Sequence, residues 1–441
     1  MLLKIEKALF YLLAFCFFFQ ARFILWPEAF ANEWQSVYLY ATDILILALF
    51  FFWARRSSRL VKEFFEKGNL KRLIRPLIIF LLLSLASVFV AKNKILGVYG
   101  FLKLSEFAAL FWYASQNFKK FLSFEKFWQF FVAGAALQSI VALGQFFSQR
   151  SLGLKYFESP LAPDLAGVAK IALGEKLIVR AYGLVPHPNI LAAILILSLF
   201  GLGWLFVKKY RFWRPLEKGG YVFVLCLNFT ALFFTFSRLV TVFGLLFFVV
   251  WLALNYRQSK REILTVAVLL LVVGTVLSVI FWPQVFSRYD PEVLARGQSV
   301  DLRMIYNRIA WETILFSPLL GVGQSNFVFD FSQIYSKLAT WVFQPVHNVY
   351  LLVAAETGIL GFLAFAWFLF SLAWQGLKRR LPSPDNCLIC IFGFIITIGL
   401  FDHFWWDIQQ GQIMFWLFLG ILASFCARSS MDRAKASGAL D

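Results

Sequence analysis

The sequence predicts an all-α integral membrane protein of about twelve transmembrane helices with a large helical outer loop. Three observations predict it. Hydrophobic residues make up 61% of the chain and mean hydropathy is +0.73, whereas soluble domains are roughly 45–50% apolar. Those residues come in long runs, and a hydrocarbon core about 30 Å thick takes about 20 apolar residues per spanning helix. Lys and Arg, which give the net charge of +18, cluster in alternate loops.

In chain order the apolar runs place spans near 8–26, 36–54, 76–91, 100–117, 127–147, 188–206, 221–236, 239–256, 263–282, 350–376, 386–402 and 411–426. The first follows Lys4 and Lys7 and has no small-residue cleavage site, so it reads as a retained span. Basic clusters at 55–75, 119–120, 208–218, 257–261 and 378–380 fall in alternate loops and put both termini in the cytoplasm. Residues 1–427 then form one polytopic domain with outer loops at about 148–188 and 283–348, and 428–441 reads as a disordered cytoplasmic tail. Anionic headgroups explain the basic balance, so membrane lipids are expected partners and nucleic acid is not. The five cysteines lie in spans or at cytoplasmic ends, which predicts no disulfide. Cys387 and Cys390 lack a second ligand pair for a metal site.

The outer loops hold the candidate chemistry. The first ends in "LIVRAYGLVPHPNILAAIL", which brings Arg180, His187 and Asn189 to the start of the sixth span. Pro188 suits a first helical turn, so His187 reads either as a pre-proline interfacial residue or as part of a site. Arg180 likewise reads as an arginine that reaches headgroups or as a ligand. Between the seventh and eighth spans Ser237 and Arg238 interrupt an apolar run, and an arginine near lipid costs roughly 2.5–3.5 kcal/mol unless paired or wetted. Lys103 and Glu106 in the fourth span make an i, i+3 pair, and Lys103 could face the same cavity.

The long loop carries Arg288, Arg296, Arg303 and Arg308 and closes on His347 and Asn348 at the mouth of the tenth span. Leu302, Ile305, Tyr306, Ile309, Trp311, Leu315 and Phe316 predict an amphipathic helix over 301–316 at the outer interface, stopped by Pro318. "GVGQSN" at 321–326 follows no strand and reads as a turn that lets backbone pass close to something. Arginine forks hold phosphate oxygens at any relevant pH, and a histidine takes a hydroxyl proton near neutrality. Together they suit transfer of a sugar from a pyrophosphate leaving group to a hydroxyl.

"RAYGLVPHPN", "TFSR", the run from Arg303 through "SPLLGVGQSNF", and "HNVYLLVAAETGILG" resemble the successive motifs of the O-antigen ligase and O-antigen polymerase superfamily. That resemblance implies a GT-C-like bacterial inner-membrane glycosyltransferase, active on the outer face. It further implies an undecaprenyl-pyrophosphate-linked glycan donor, a glycan or lipid-anchored acceptor, and no nucleotide, metal or other cofactor. By position Arg238, Arg303 and His347 match the family's catalytic arginines and base. Arg180, His187, Asn189, Asn348 and Lys103 are expected to bind substrate, as is Arg308. Asn307 stands where the family often has tryptophan and Trp311 follows one turn later, which leaves Arg308 a rival to Arg303. A polymerase using the same donor and a lipid-linked glycan transporter are the alternatives; no internal repeat of the kind transporters show is visible.

Overall fold

A computed structural model describes residues 1–26, 32–57, 68–287 and 298–426. Arg288, Arg296 and the tail at 428–441 lie outside the described residues. Each expected span coincides with a helix: α1 (Leu2–Cys16), α2 (Ala41–Arg56), α3 (Gly68–Val90), α4 (Lys94–Phe121), α5 (Phe124–Ser148) and α6 (Pro188–Lys209). They continue as α7 (Pro215–Phe234), α8 (Arg238–Asn255), α9 (Lys260–Ile280), the short α10 (Trp282–Ser287), α11 (Gln298–Phe316) and α12 (Phe327–Ile334). The last four are α13 (Val349–Arg379), α14 (Cys387–Ile398), α15 (Phe404–Asp407) and α16 (Gln409–Cys426). Among the described residues nine helices are long and apolar enough to cross a membrane. The exceptions among the expected twelve are α1, α2 and α14, of 15, 16 and 12 residues.

The shortfall at α1 and α2 has a local cause. Residues 22–26 and 37–40, expected inside the first two spans, instead pair as an antiparallel hairpin of β1 (Arg22–Trp26) and β2 (Val37–Tyr40). "RFILW" and "VYLY" are rich in the β-branched and aromatic residues that suit a strand, and Arg22 lies against Glu33 and over the Tyr38 ring. A second hairpin, β3 (Lys170–Leu173) with β4 (Lys176–Val179), turns at Gly174 in the first outer loop, where no strand was expected.

The helices sort by direction. α2, α6, α8, α13 and α16 start at one end of the bundle, where Asp43, Asn189, Arg238, Asn348 and Gln409 lie, and several finish in basic residues at the other. At that second end Arg56 bonds Glu6 and Asn117, and Lys209 pairs with Glu125. Among the described residues the basic helix ends therefore gather opposite the end that holds Arg180, His187 and His347. α6 is almost wholly buried at the centre, whereas α9 presents exposed Val268, Leu271 and Val279 around its circumference. Exposed apolar surface on that scale marks contact with lipid.

α13 is broken. Gly358 has φ +73° and ψ 177°, and an added Cβ there would lie 2.1 Å from the Leu319 carbonyl oxygen. The predicted turn fills the break. Val322 and Gly323 donate N–H groups to the carbonyls of Ala355 and Glu356 (2.9 and 3.0 Å), and Ile359 donates to Pro318 (2.8 Å). Irregular backbone at membrane depth is tolerated only where protein satisfies it, so the "PLLGVG" segment is what allows the break. Gln324 continues the docking through Ser84 and Ser87 of α3.

α11 confirms the expected helix but not its face. Tyr306, Ile309, Ala310 and Ile314 are buried, while Ile305, Trp311, Leu315 and Phe316 point outward. A second apolar stripe therefore faces away from the bundle, as on a helix lying at an interface.

Gly358→Ala combines a left-handed backbone with a clash against backbone. It is expected to destabilise the protein by more than about 2 kcal/mol, read as an earlier thermal unfolding transition in detergent, whereas Gly219→Ala, in open space, leaves it in place.

Candidate active site

The sequence holds three histidines, and the fold brings them together. His187 caps α6, its Nδ1 accepting the Asn189 backbone N–H at 3.1 Å. His347 stands two residues before α13, and its ring centroid lies 4.9 Å from that of His403, just before α15. Sequence reasoning singled out the first two and missed His403 with its neighbours Asp402 and Asp407. "FDHFWWD" carries a signal, a histidine with an aspartate before it and another four residues on. The expected spans ended at 402 and resumed at 411, so His403 and Asp407 read as part of a short connection.

Asp402 is the buried centre of the group. Its Oδ2 accepts from Asn189 Nδ2 (2.8 Å), its Oδ1 accepts from the His403 backbone N–H (2.9 Å), and Oδ1 lies 3.7 Å from His347 Nδ1. That last separation is just beyond a hydrogen bond, and His347 Nδ1 has no hydrogen-bond partner among the described residues. On the far side of Asn189, its Oδ1 accepts from Arg180 Nη2 (3.1 Å) and Ser237 Oγ (2.8 Å). Arg180 also donates through Nε to the Thr235 carbonyl (2.6 Å). Asn189 thus links the arginine side of the site to the histidine side.

Arg238 follows Ser237 directly as the first residue of α8 and is half-buried. The turn that delivers it contains Phe236 at φ +46°, a conformation costing a bulky residue about 1–3 kcal/mol. Packing of its ring against Phe146 and Phe233 offsets that strain. Arg303 on α11 is half-buried and close enough for its charge to act on His347. Three residues after Arg303, about one turn on, Tyr306 donates to the Val342 carbonyl (2.8 Å), and its ring centroid lies 6.0 Å from that of His347.

Three expected residues sit differently. Arg308 is exposed and pairs with Glu312 at 2.8 Å, outside the cluster. Asn348 is the N-cap of α13, its Oδ1 accepting from Tyr350 and Leu351 N–H groups, and its amide donates to the Leu400 carbonyl. Lys103 pairs with Asp43 (2.6 Å) and Glu106 (3.2 Å) and lines a neighbouring cavity.

Electrostatics separate the histidines. Burial pushes His347 below its usual range, and His403 and Arg303 add to this while Asp402 opposes it. Burial and then Arg180 push His187 down to about 3. Burial also disfavours charge on His403, but Asp407, accepting from its Nδ1 at 2.8 Å, outweighs that and raises it. Burial alone would raise Asp402; the three surrounding imidazoles reverse this and hold it far below the carboxylate range. The arrangement is two imidazoles held toward the neutral form, His187 and His347, one favoured imidazolium, His403, and one firmly ionised carboxylate, Asp402.

His347, Asp402 and His403 offer three ligand atoms within 4.8 Å of one another, enough for a divalent cation of the zinc type after modest closure. Asp402, however, is already committed to Asn189 and the His403 backbone.

Residues 221–366 match the family model described as O-antigen ligase, and the match supports assignment to that family. The matched stretch contains Arg238, Arg303 and His347, and excludes Arg180, Asn189, Asp402 and His403. No curated protein matches the chain.

With three histidines, side-chain titration by 15N NMR is resolvable residue by residue. His403 is expected to titrate above 6.5 and His187 and His347 below it. Asp402→Asn removes an anion that favours the protonated forms, so all three are expected to move to lower pH.

Proposed function

We propose that the protein is a metal-independent glycosyltransferase of the O-antigen ligase type, moving a glycan from an undecaprenyl-pyrophosphate donor to an acceptor hydroxyl. The observation that carries this reading is that Asn189 and Asp402 join Arg180 and Ser237, the residue before Arg238, to the edge of a half-buried His347 on which the charge of Arg303 also acts. Arginine forks at the site's edge suit a pyrophosphate that gains charge as it leaves. His347 suits the base, because an imidazole held below its usual range is neutral and able to take a proton at physiological pH.

In the proposed reaction the acceptor oxygen attacks the anomeric carbon, and the bond from that carbon to the phosphate oxygen breaks. The electron pair leaves on the pyrophosphate, where the arginines offset it, and the hydroxyl proton passes to His347. The charge of Asp402, 3.7 Å from Nδ1, favours the protonated imidazole as the proton arrives, and His403 held by Asp407 packs against the ring. Products are the glycosylated acceptor and undecaprenyl pyrophosphate. This chemistry needs no metal, and activity is expected to survive EDTA; its complete loss would instead assign the His347, Asp402 and His403 trio to a cation.

The gathering of the basic clusters at the opposite end supports a site on the outer face of the bacterial inner membrane with both termini cytoplasmic. It also supports membrane crossing by the shorter helices α1, α2 and α14, giving a twelve-span, GT-C-like protein. Cysteines placed at Ser151 and Gln333 are expected to react with an impermeant maleimide in intact cells, and one at Gly219 to be protected. The inverse pattern would move the site to the cytoplasm.

Transfer is tested by mass spectrometry after purified protein meets a lipid-linked oligosaccharide and a lipid-anchored acceptor. His347→Ala is expected to abolish product, a loss on the order of 10²–10⁴, while donor binding persists. Lysine at Arg238 or Arg303 is expected not to restore activity, because an ammonium lacks the fork. Lipid-linked repeat units alone should give no lengthening ladder; a ladder would identify a polymerase.

A further inference from the structure

Beside the histidine cluster lies a cavity walled by the β1–β2 hairpin, the start of α4 and the segment 406–412. Its position is fixed by the histidines: Pro186 and Pro345, which precede His187 and His347, line it, and so does Asp407, the partner of His403. Arg180, Arg238 and Arg303 do not line it. The three histidines do not line it either, so the cavity adjoins the histidine cluster and is distinct from the arginine side of the site.

Its walls have an unusual inventory of unmet hydrogen bonds. Trp34 Nε1 and Gln410 Nε2 are buried donors without a hydrogen-bond partner among the described residues, and Asp407 Oδ2 and Gln409 Oε1 are buried acceptors in the same state. Each such group costs about 1–3 kcal/mol if left unpaired, so donors and acceptors gathered in one recess point to a ligand that supplies both. A hydroxyl group does so, since it donates once and accepts twice. The aromatic rings of Trp34, Tyr40 and Tyr99 add flat faces, on which the C–H faces of a sugar ring can pack.

The same walls argue against phosphate. Arg22 already lies 3.5 Å from Glu33 and over Tyr38, and Lys103 is held between Asp43 and Glu106. Glu33, Glu356 and Asp407 also face the recess, and an anion entering it would meet carboxylates.

We propose that this cavity is a sugar-binding subsite for the acceptor, taking an uncharged or amino sugar ring next to the histidine cluster. The assignment of the sugar to the acceptor rests on the transferase reading; the assignment of a sugar to the cavity does not.

The test is saturation-transfer NMR on the full-length protein in lipid nanodiscs, with a panel of methyl hexosides, methyl heptosides and methyl hexosaminides, and with inorganic pyrophosphate as competitor. At least one glycoside is expected to bind, to be unaffected by pyrophosphate, and to keep its signal in Arg303→Lys. Trp34→Phe, which keeps a ring and removes the N–H, and Gln410→Leu are each expected to weaken it about fivefold to tenfold, the effect of one hydrogen bond. Both variants are checked for a monodisperse elution profile, and either one suffices. In turnover the same substitutions should raise the acceptor KM and leave the donor KM unchanged. Absence of glycoside binding to the wild type, displacement by pyrophosphate, or indifference to both substitutions would overturn the proposal. Binding as expected by a protein that transfers nothing would leave the sugar subsite standing and remove the transferase reading.

Discussion

The buried carboxylate of Asp402 is the group on which the site depends. An ionised carboxylate at depth is tolerated only when paired and hydrogen-bonded, and Asp402 meets that demand with the Asn189 amide, the His403 backbone N–H and the imidazoles around it. Those partners come from the start of α6, the approach to α13 and the segment before α15. One charge thereby fixes three chain segments at a common point. Because Asn189 also accepts from Arg180 and Ser237, the same charge sets the distance between the arginines and the histidines.

A second constraint holds the long loop over this point. The loop would be a loose excursion if only its ends were anchored, yet its middle is bonded into the break in α13. The carbonyls freed at Ala355 and Glu356 take N–H groups from Val322 and Gly323, and the left-handed backbone at Gly321 and Gly358 permits the close approach. With 318–323 fixed, α11 packs against α13 and Tyr306 reaches His347. Helix break, docked loop and base are therefore parts of one arrangement, and the exposed stripe of Trp311, Leu315 and Phe316 lies on its outer side.

Much of the fold was legible because lipid enforces long apolar runs, and every expected span has a helix. The ends of α1 and α2 were not legible, since "RFILW" is as apolar as a helix and periodicity over five residues does not separate strand from helix. His347, Arg180 and Asn189 were legible because each is a polar residue at the edge of an apolar run. Asp402, His403 and Asp407 were missed because they lie at and just after the end of the eleventh apolar run, in a short connection before the next span with no basic cluster or long loop to mark it. Arg308 and Arg303 could not be separated by spacing, and only the fold shows one facing Glu312 and the other acting on His347. The pairing of Lys103 with Asp43 crosses two helices and has no local signature.

The central claim is that Asp402 tunes His347 as the base of a glycosyl transfer. The direct measurement is the pH dependence of kcat/KM for the wild type and Asp402→Asn, with the histidine titrations followed in the same samples. The account predicts an acid limb below pH 6.5 that coincides with the His347 titration and moves to lower pH in the variant, because the lost carboxylate had favoured the protonated ring. An acid limb that stays in place while the His347 titration moves would contradict it.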